Sequence, residues 1–146
     1  RRWEQEDAPR KLLNLDSWAG YEAQRERLLA RMRGLNNVVV ITGDEHTNYA
    51  GLLHDRDHPV AVEFVGTSIS SDGDGQDVPG WGPKFMVNNP QLKFINNQRG
   101  YLTCDVTSGE WRTNFMVVDK ISTPDGKLSK RATLAVAHGE SSLRQV

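Results

Sequence analysis

The β-branched run Val-Val-Val-Ile at residues 38–41 constrains the fold of this 146-residue chain more than any other segment. It lies between Asn36-Asn37 and Gly43, and it contains no polar residue. Since apolar and polar positions do not alternate, the run predicts a strand buried on both faces, as in a parallel sheet covered by helices.

The segment before this run predicts a helix near residues 18–33. Its apolar residues fall on one helical face, namely Tyr21, Leu28, Leu29 and Met32. Asp16-Ser17 offers an N-cap, and Gly34 lies where a C-terminal glycine stop belongs. A helix followed directly by a buried strand is an α/β unit.

The second half of the chain changes to short segments typical of antiparallel strands. Residues 101–106 and 111–118 alternate on either side of the turn 107–110, which predicts a hairpin. Residues 66–83 are rich in Gly, Ser, Asp and Pro and predict a long polar loop. Further strands are predicted at residues 60–65, 92–95 and 131–137.

Composition narrows the class of protein. A net charge of −1 gives no overall field that favours nucleic acid, and no apolar run approaches the roughly 20 residues of a membrane span. The single cysteine, Cys104, excludes an internal disulfide, and its place in a strand predicts a buried, inert thiol.

We interpret residues 1–15 as an irregular lead-in and 16–146 as one unit. The chain begins without Met, which predicts a fragment or a processed product.

The strongest candidate for chemistry follows the β-branched run, at Asp44 and His46 of Gly43-Asp44-Glu45-His46. In open α/β sheets, ligands bind beyond the carboxyl ends of the strands. Two positions apart in extended backbone, the carboxylate and the imidazole point the same way and suit zinc or a first-row transition metal. Spacing alone leaves a second interpretation open, in which Asp44 caps a helix through residues 49–53.

Other polar clusters carry weaker signals. Residues 54–58, His-Asp-Arg-Asp-His, precede a proline and favour a solvated loop. Residues 72–77 resemble a calcium loop, but Pro83 stands where the twelve-residue pattern requires Glu, so a flexible polar loop is the better interpretation. Trp81 could close over a ligand or anchor its loop, and Asn89 is a turn residue first and a substrate-binding candidate second.

Beyond single motifs, short segments follow one another in a specific order. They are Asp16-Ser17-Trp18-Ala19-Gly20-Tyr21, Val39-Val40-Ile41-Thr42-Gly43-Asp44-Glu45-His46, Asn89-Pro90-Gln91-Leu92-Lys93-Phe94, Arg99-Gly100-Tyr101 and Trp111-Arg112-Thr113-Asn114-Phe115. In this order they resemble the C-terminal part of the PhoD-like alkaline phosphatases, a branch of the metallophosphoesterases, over nearly all of residues 12–138. Ala19 and Gln91 depart from the family's usual Asp and His, which puts substrate preference in question.

The resemblance implies an α/β fold: the C-terminal part of a two-layer β sandwich flanked by helices. It implies hydrolysis of phosphate monoesters, phosphodiesters or both at a centre of iron with calcium. Its Gly-Asp-x-His motif makes Asp44 and His46 metal ligands, while the remaining ligands are expected in an N-terminal part that this sequence lacks. Cys104 does not match the family's cysteine ligand.

The resemblance also implies the setting of the enzyme. A phosphate ester and the N-terminal part of the same protein are the implied partners, and the isolated chain is expected to be inactive. Export by the twin-arginine route implies a secreted, periplasmic or cell-wall enzyme. Two alternatives belong to other classes: a catalytically silent fragment, and an α/β module that binds a metal or ligand without hydrolysing anything.

Overall fold

The computed structural model describes residues 4–5, 11–12, 17–71 and 73–146. Most of the predicted lead-in, and the N-cap predicted at Asp16, lie outside these residues. In chain order the strands are β1 (Glu4–Gln5), β2 (Lys11–Leu12), β3 (Val39–Thr42), β4 (Asn48–Asp55), β5 (His58–Val65), β6 (Leu92–Asn96), β7 (Gly100–Val106), β8 (Glu110–Val118), β9 (Leu128–Ala137) and β10 (Arg144–Gln145). The helices are α1 (Glu22–Met32) and α2 (Gly82–Asn88).

Two four-stranded sheets form the body of the described chain. The first has the order β3-β5-β4-β6, and the second has the order β10-β9-β8-β7. Only β3 and β5 are parallel within these sheets, as the β-branched run predicts. The predicted hairpin is confirmed, with Val106 opposite Trp111 across the turn. β1 and β2 form a separate antiparallel pair.

The hydrophobic core lies between the two sheets. Phe115 of the second sheet is fully buried, with its ring centroid 4.5 Å from that of Phe94 and 6.4 Å from that of Phe64 in the first sheet. The other buried members of this cluster are Ala50, Val62, Ala132, Leu134 and Val136. Because side chains alternate along a strand, each sheet contributes every second residue to this layer. The expected sandwich is therefore confirmed.

The opposite face of the first sheet is covered by helices. Phe85 and Met86 of α2 pack on a second buried cluster, which consists of Tyr49, Val65, Leu92 and Ile95. The helix α1 packs against β4 and β5. The described chain therefore has a helical layer outside a two-sheet sandwich, which accounts for its mixed α/β character.

The helix α1 is shorter than predicted and begins differently. Its N-cap is Tyr21, with no capping hydrogen bond from a side chain, so Ser17 does not cap this helix as predicted. Gly34 has a φ of +84° just beyond the helix, which confirms the predicted glycine stop. Leu29 and Met32 are half-buried, whereas Tyr21 and Leu28 are exposed.

The prediction that the run at 38–41 is buried on both faces is wrong. β3 is the outermost described strand of its sheet, and Ile41 is 55% exposed. The sequence pattern indicates that the strand is apolar. It does not indicate whether a second strand lies beside it.

Cys104 also differs from its prediction, because it is exposed. It lies on β7, the outermost described strand of the second sheet. Leu102 on the same strand packs against the core, but Cys104, two residues further along, does not belong to that cluster. Its Sγ lies 3.7 Å from Oγ1 of Thr113.

The loop between β5 and α2 is tied to the second sheet by carboxylates. Asp74 accepts hydrogen bonds from the backbone N–H groups of Ile121 and Ser122, at 2.7 and 2.8 Å. Asp77 forms an ion pair with Arg131. These carboxylates, part of the rejected calcium-loop pattern, hold a long loop in place.

The interlocked phenyl rings predict a large effect for Phe115→Ala. Truncating a fully buried Phe removes its contacts with both sheets and leaves a cavity, so we expect a loss of about 3–5 kcal/mol in the free energy of unfolding. Urea unfolding of the full-length protein measures it. Leu128→Ala, at a half-exposed position of β9, serves as control and should cost far less; equal losses would contradict the proposed core.

The attachment of Asp74 predicts an acid-sensitive loop. Hydrogen bonds from the Ile121 and Ser122 N–H groups and from the Ser122 hydroxyl lower the pKa of the Asp74 carboxyl. A carboxyl with a lowered pKa in the folded state stabilises the fold above its unfolded pKa of about 3.9, and this stabilisation is lost as the pH falls through the folded value. Asp74→Asn should therefore reduce the urea midpoint at pH 6, and the difference from wild type should shrink below about pH 4. A difference independent of pH would contradict this role.

Candidate functional site

The parallel pairing of β3 and β5 places two loops beside each other at one edge of the first sheet. Residues 43–47 follow β3, and residues 66–71 follow β5. The Gly66 N–H donates to the Thr42 carbonyl at 2.9 Å, which extends the pairing with the end of β3 to the first residue after β5. Asp44 and His46 are therefore at the carboxyl ends of two parallel strands, where the sequence predicts them.

The backbone around the predicted ligands is not extended. Asp44 has a φ of +73° and His46 a φ of +51°, both in the left-handed region. The expectation that extended backbone aligns the two side chains is therefore wrong. Left-handed residues other than glycine cost energy and often occur at functional sites, and Asp and His are among the residues that tolerate the conformation best.

The alternative in which Asp44 caps a helix is also wrong. Residues 49–53 belong to the strand β4, whose side chains contribute to the core on both faces of the first sheet. Asp44 and His46 are instead exposed in the loop that connects β3 to β4. Removing this alternative leaves the carboxylate and the imidazole without a helix-capping role.

The His46 ring contacts the neighbouring loop. Its Nδ1 lies 3.3 Å from Oγ of Ser71, and the two atoms share a hydrogen bond. Histidines that bind metals commonly make a hydrogen bond through their second ring nitrogen, which fixes the orientation of the ring. The Ser71 contact likewise engages one of the two ring nitrogens of His46.

Buried amide side chains hold the loop at 66–71 in place. Asn48 accepts a hydrogen bond from the Thr67 N–H at 3.0 Å and donates to Oδ1 of Asn96, also at 3.0 Å. Asn96 in turn donates to Asp77. Since both asparagines are buried, this chain of hydrogen bonds joins residues 66–71 to the anchored later part of the same loop, which contains Asp77.

A buried arginine, Arg99, completes the support. Its guanidinium donates to the main-chain carbonyl of His46 at 3.2 Å and to the Ser68 hydroxyl at 2.9 Å. The sequence analysis missed Arg99, Asn48 and Asn96 as site residues. The only available signal is that polar residues stand at the ends of otherwise apolar strands.

The side chains of Asp44 and His46 are of types that bind metals, but they are only two. A carboxylate and an imidazole are ordinary ligands for iron or zinc, and a carboxylate suits calcium. Among the described residues, no three His, Cys, Asp or Glu side chains come together as a metal site. A metal site that included Asp44 and His46 would therefore require further ligands from outside the described residues.

The two predicted substrate-binding residues lie at opposite ends of α2. Trp81 is about half exposed and packs edge-on against Phe85, with ring centroids 5.3 Å apart. Asn89 is buried, and its side chain donates to the Phe85 carbonyl and accepts from Gln91. Asn89 thus supports the end of the helix, and substrate binding by either residue remains a prediction.

The ligand-rich segment at residues 54–58 spans the end of β4, a turn at 56–57 and the start of β5, at the opposite edge of the sheet from Asp44. Arg56, Asp57 and His58 are exposed, as predicted for a solvated loop. Asp55 is paired with Arg33, with 2.7 Å between Nη2 and Oδ2.

Known proteins match this architecture and its motifs. The family model of the PhoD-like phosphatases matches residues 1–115, and the chain belongs to this family. Alkaline phosphatase D of Bacillus subtilis (strain 168) is 37% identical in an alignment 142 residues long, which covers 92% of this chain and 24% of that protein. A solved structure described as the structure of PhoD superposes with a TM-score of 0.92 and 36% identity, over 99% of this chain and 29% of that one.

The chain thus spans about a quarter of the length of the relative that it matches. None of the helices described for it is long and apolar enough to cross a membrane.

The left-handed conformation of Asp44 predicts different stabilities for two substitutions that both remove the carboxylate. Asp44→Gly should be more stable than Asp44→Ala by about 1 kcal/mol, because glycine adopts a positive φ without strain. The comparison requires metal-free full-length protein and is made by thermal or urea unfolding. If the alanine variant equals or exceeds the glycine variant in stability, the loop does not hold a left-handed residue at this position.

Proposed function

We propose that this chain is part of a metal-dependent phosphate-ester hydrolase and that Asp44 and His46 are ligands of its metal centre. One observation carries the proposal: both residues lie in a strained loop at the carboxyl ends of the parallel strands β3 and β5. Membership in the PhoD-like phosphatase family supports hydrolysis of phosphate esters as the reaction.

The roles of the two side chains follow from their chemistry. Asp44 would supply an anionic oxygen, and His46 a neutral nitrogen whose ring is oriented by Ser71. When bound, a metal centre polarises phosphoryl oxygens and provides a hydroxide nucleophile near neutral pH. Mixed oxygen and nitrogen ligation fits the iron and calcium that the family resemblance implies.

The full reaction requires more metal ligands than Asp44 and His46. Two ligands do not complete a catalytic metal site, so we infer that a longer protein supplies the others and that the described chain alone is inactive. Phosphate monoesters and phosphodiesters are both proposed as substrates, and an extracytoplasmic location is proposed from the family resemblance. A catalytically silent fragment is the second candidate, favoured by the small number of ligands.

Alanine substitutions test the ligand assignment in the full-length protein. Asp44→Ala and His46→Ala should each reduce kcat by at least about 100-fold, because loss of a ligand disrupts the metal centre. Hydrolysis of p-nitrophenyl phosphate and bis-p-nitrophenyl phosphate measures the activity, and elemental analysis measures the bound metal.

The hairpin turn provides a matched control. Asp57→Ala and His58→Ala remove the same two residue types from an exposed turn, and they should leave activity and metal content at wild-type levels. If the Asp44 and His46 variants keep both properties, the ligand assignment is wrong. Robust turnover by the 146 residues alone would show that the described chain contains a complete site.

A further inference from the structure

We propose that Arg99 is a positioning residue that holds the proposed metal-binding loop in its active conformation through the main-chain carbonyl of His46. This inference rests on the proposed function. Arg99 lies in the short linker between β6 and β7, outside the motif that carries the two ligands.

The burial of Arg99 indicates a specific role. The residue is only 3% exposed, and no carboxylate of the described chain forms an ion pair with it. Its Nε has no hydrogen-bond partner there either. Burying a cation without an opposite charge is unfavourable unless hydrogen bonds compensate. The compensating acceptors are the His46 carbonyl, the Ser68 hydroxyl and the Asn97 carbonyl.

The contact with His46 acts on a strained residue. Because His46 has a φ of +51°, its backbone would relax to other conformations if nothing held it. A charged donor on its carbonyl fixes the peptide plane that follows His46, and charge-assisted hydrogen bonds are stronger than neutral ones. The direction of the imidazole depends on this backbone conformation.

The same guanidinium group also joins the two loops at the site. Nη1 of Arg99 contacts both the His46 carbonyl and the Ser68 hydroxyl. The next residue, Gly100, donates its N–H to the Ser68 carbonyl at 3.0 Å. Ser71 of that loop then contacts the His46 ring. Arg99 therefore acts on both the backbone and, through residues 66–71, the side chain of His46.

The backbone of Arg99 is attached to the second sheet. Its carbonyl accepts a hydrogen bond from the Val118 N–H at 2.8 Å, at the end of β8. The residues before it are held as well, since Asn97 and Gln76 exchange two hydrogen bonds. Because the backbone of Arg99 is held by the second sheet, its guanidinium can restrict the motion of the exposed loop at residues 43–47.

Arg99→Met and Arg99→Lys in the full-length protein test this role. Methionine keeps much of the side-chain volume but removes every donor, whereas lysine keeps the charge without the planar fork. Bound iron and calcium are measured by elemental analysis after dialysis against graded chelator concentrations, together with kcat and KM for p-nitrophenyl phosphate and the melting temperature. The matched controls are Arg112→Met and Arg112→Lys, at an exposed arginine that pairs with Glu110 on β8.

We expect Arg99→Met to release metal at a chelator concentration about 10-fold or more below that for wild type, the usual effect of losing a group that orients a ligand. Arg99→Lys should release metal at a chelator concentration between those for Arg99→Met and wild type. The Arg112 variants should release it at the wild-type concentration. Excess metal should restore most of kcat with little change in KM, because Arg99 is buried and acts through the His46 carbonyl. A purely structural role would lower the melting temperature without changing metal release from the folded protein.

Wild-type metal release by folded Arg99→Met would overturn the inference. If that variant does not fold, Arg99→Lys decides: weakened metal retention supports the role, and wild-type retention overturns it. The Asp44→Ala variant separates the two proposals. If it keeps its metal, the proposed function fails; if it loses metal while the Arg99 variants retain theirs, only the role of Arg99 fails.

Discussion

β3 runs parallel to β5, whereas the other described strand pairs of both sheets are antiparallel. Parallel pairing brings the carboxyl ends of two neighbouring strands to the same edge, where the chain must leave the sheet in two adjacent loops. One loop carries Asp44 and His46, and the other carries the serines that contact Arg99 and the imidazole. An antiparallel arrangement of the same two strands would place these loops at opposite edges. The candidate site therefore depends on strand direction before it depends on any side chain.

The second sheet matters to this site although it contributes no candidate ligand. It packs on the first sheet through Phe115 and, at the end of β8, holds the backbone of Arg99. Buried polar groups at Asn48, Asn96 and Arg99 then connect this framework to the exposed loops. Such groups are stable only when they are hydrogen bonded, so the arrangement that satisfies them also fixes the loops. The packing of the two sheets and the geometry of the candidate site therefore depend on the same buried residues.

Much of this architecture follows from local patterns in the sequence. The alternation at residues 111–118 identifies a strand and its buried face, and Gly34 marks the end of the helix, because both depend on neighbouring residues only. The position of Asp44 and His46 beyond a β-branched strand was predicted for the same reason. The exposure of Ile41 and Cys104 could not be predicted from local patterns. It depends on the positions of β3 and β7 as the outermost described strands of their sheets. The role of Arg99 depends on contacts with His46, 53 residues away, and a single sequence contains no sign of them.

The outermost position of β3 among the described strands has a practical consequence for anyone who produces this chain separately. Within the described part of the chain, β3 has a hydrogen-bonded neighbour on one side only, and its Ile41 is 55% exposed. An unpaired apolar strand edge is a template for association with other chains. Expression of these residues by themselves should therefore favour insoluble material. A longer stretch of the protein, or charged substitutions along β3, would be the sounder starting point for purification and crystallisation.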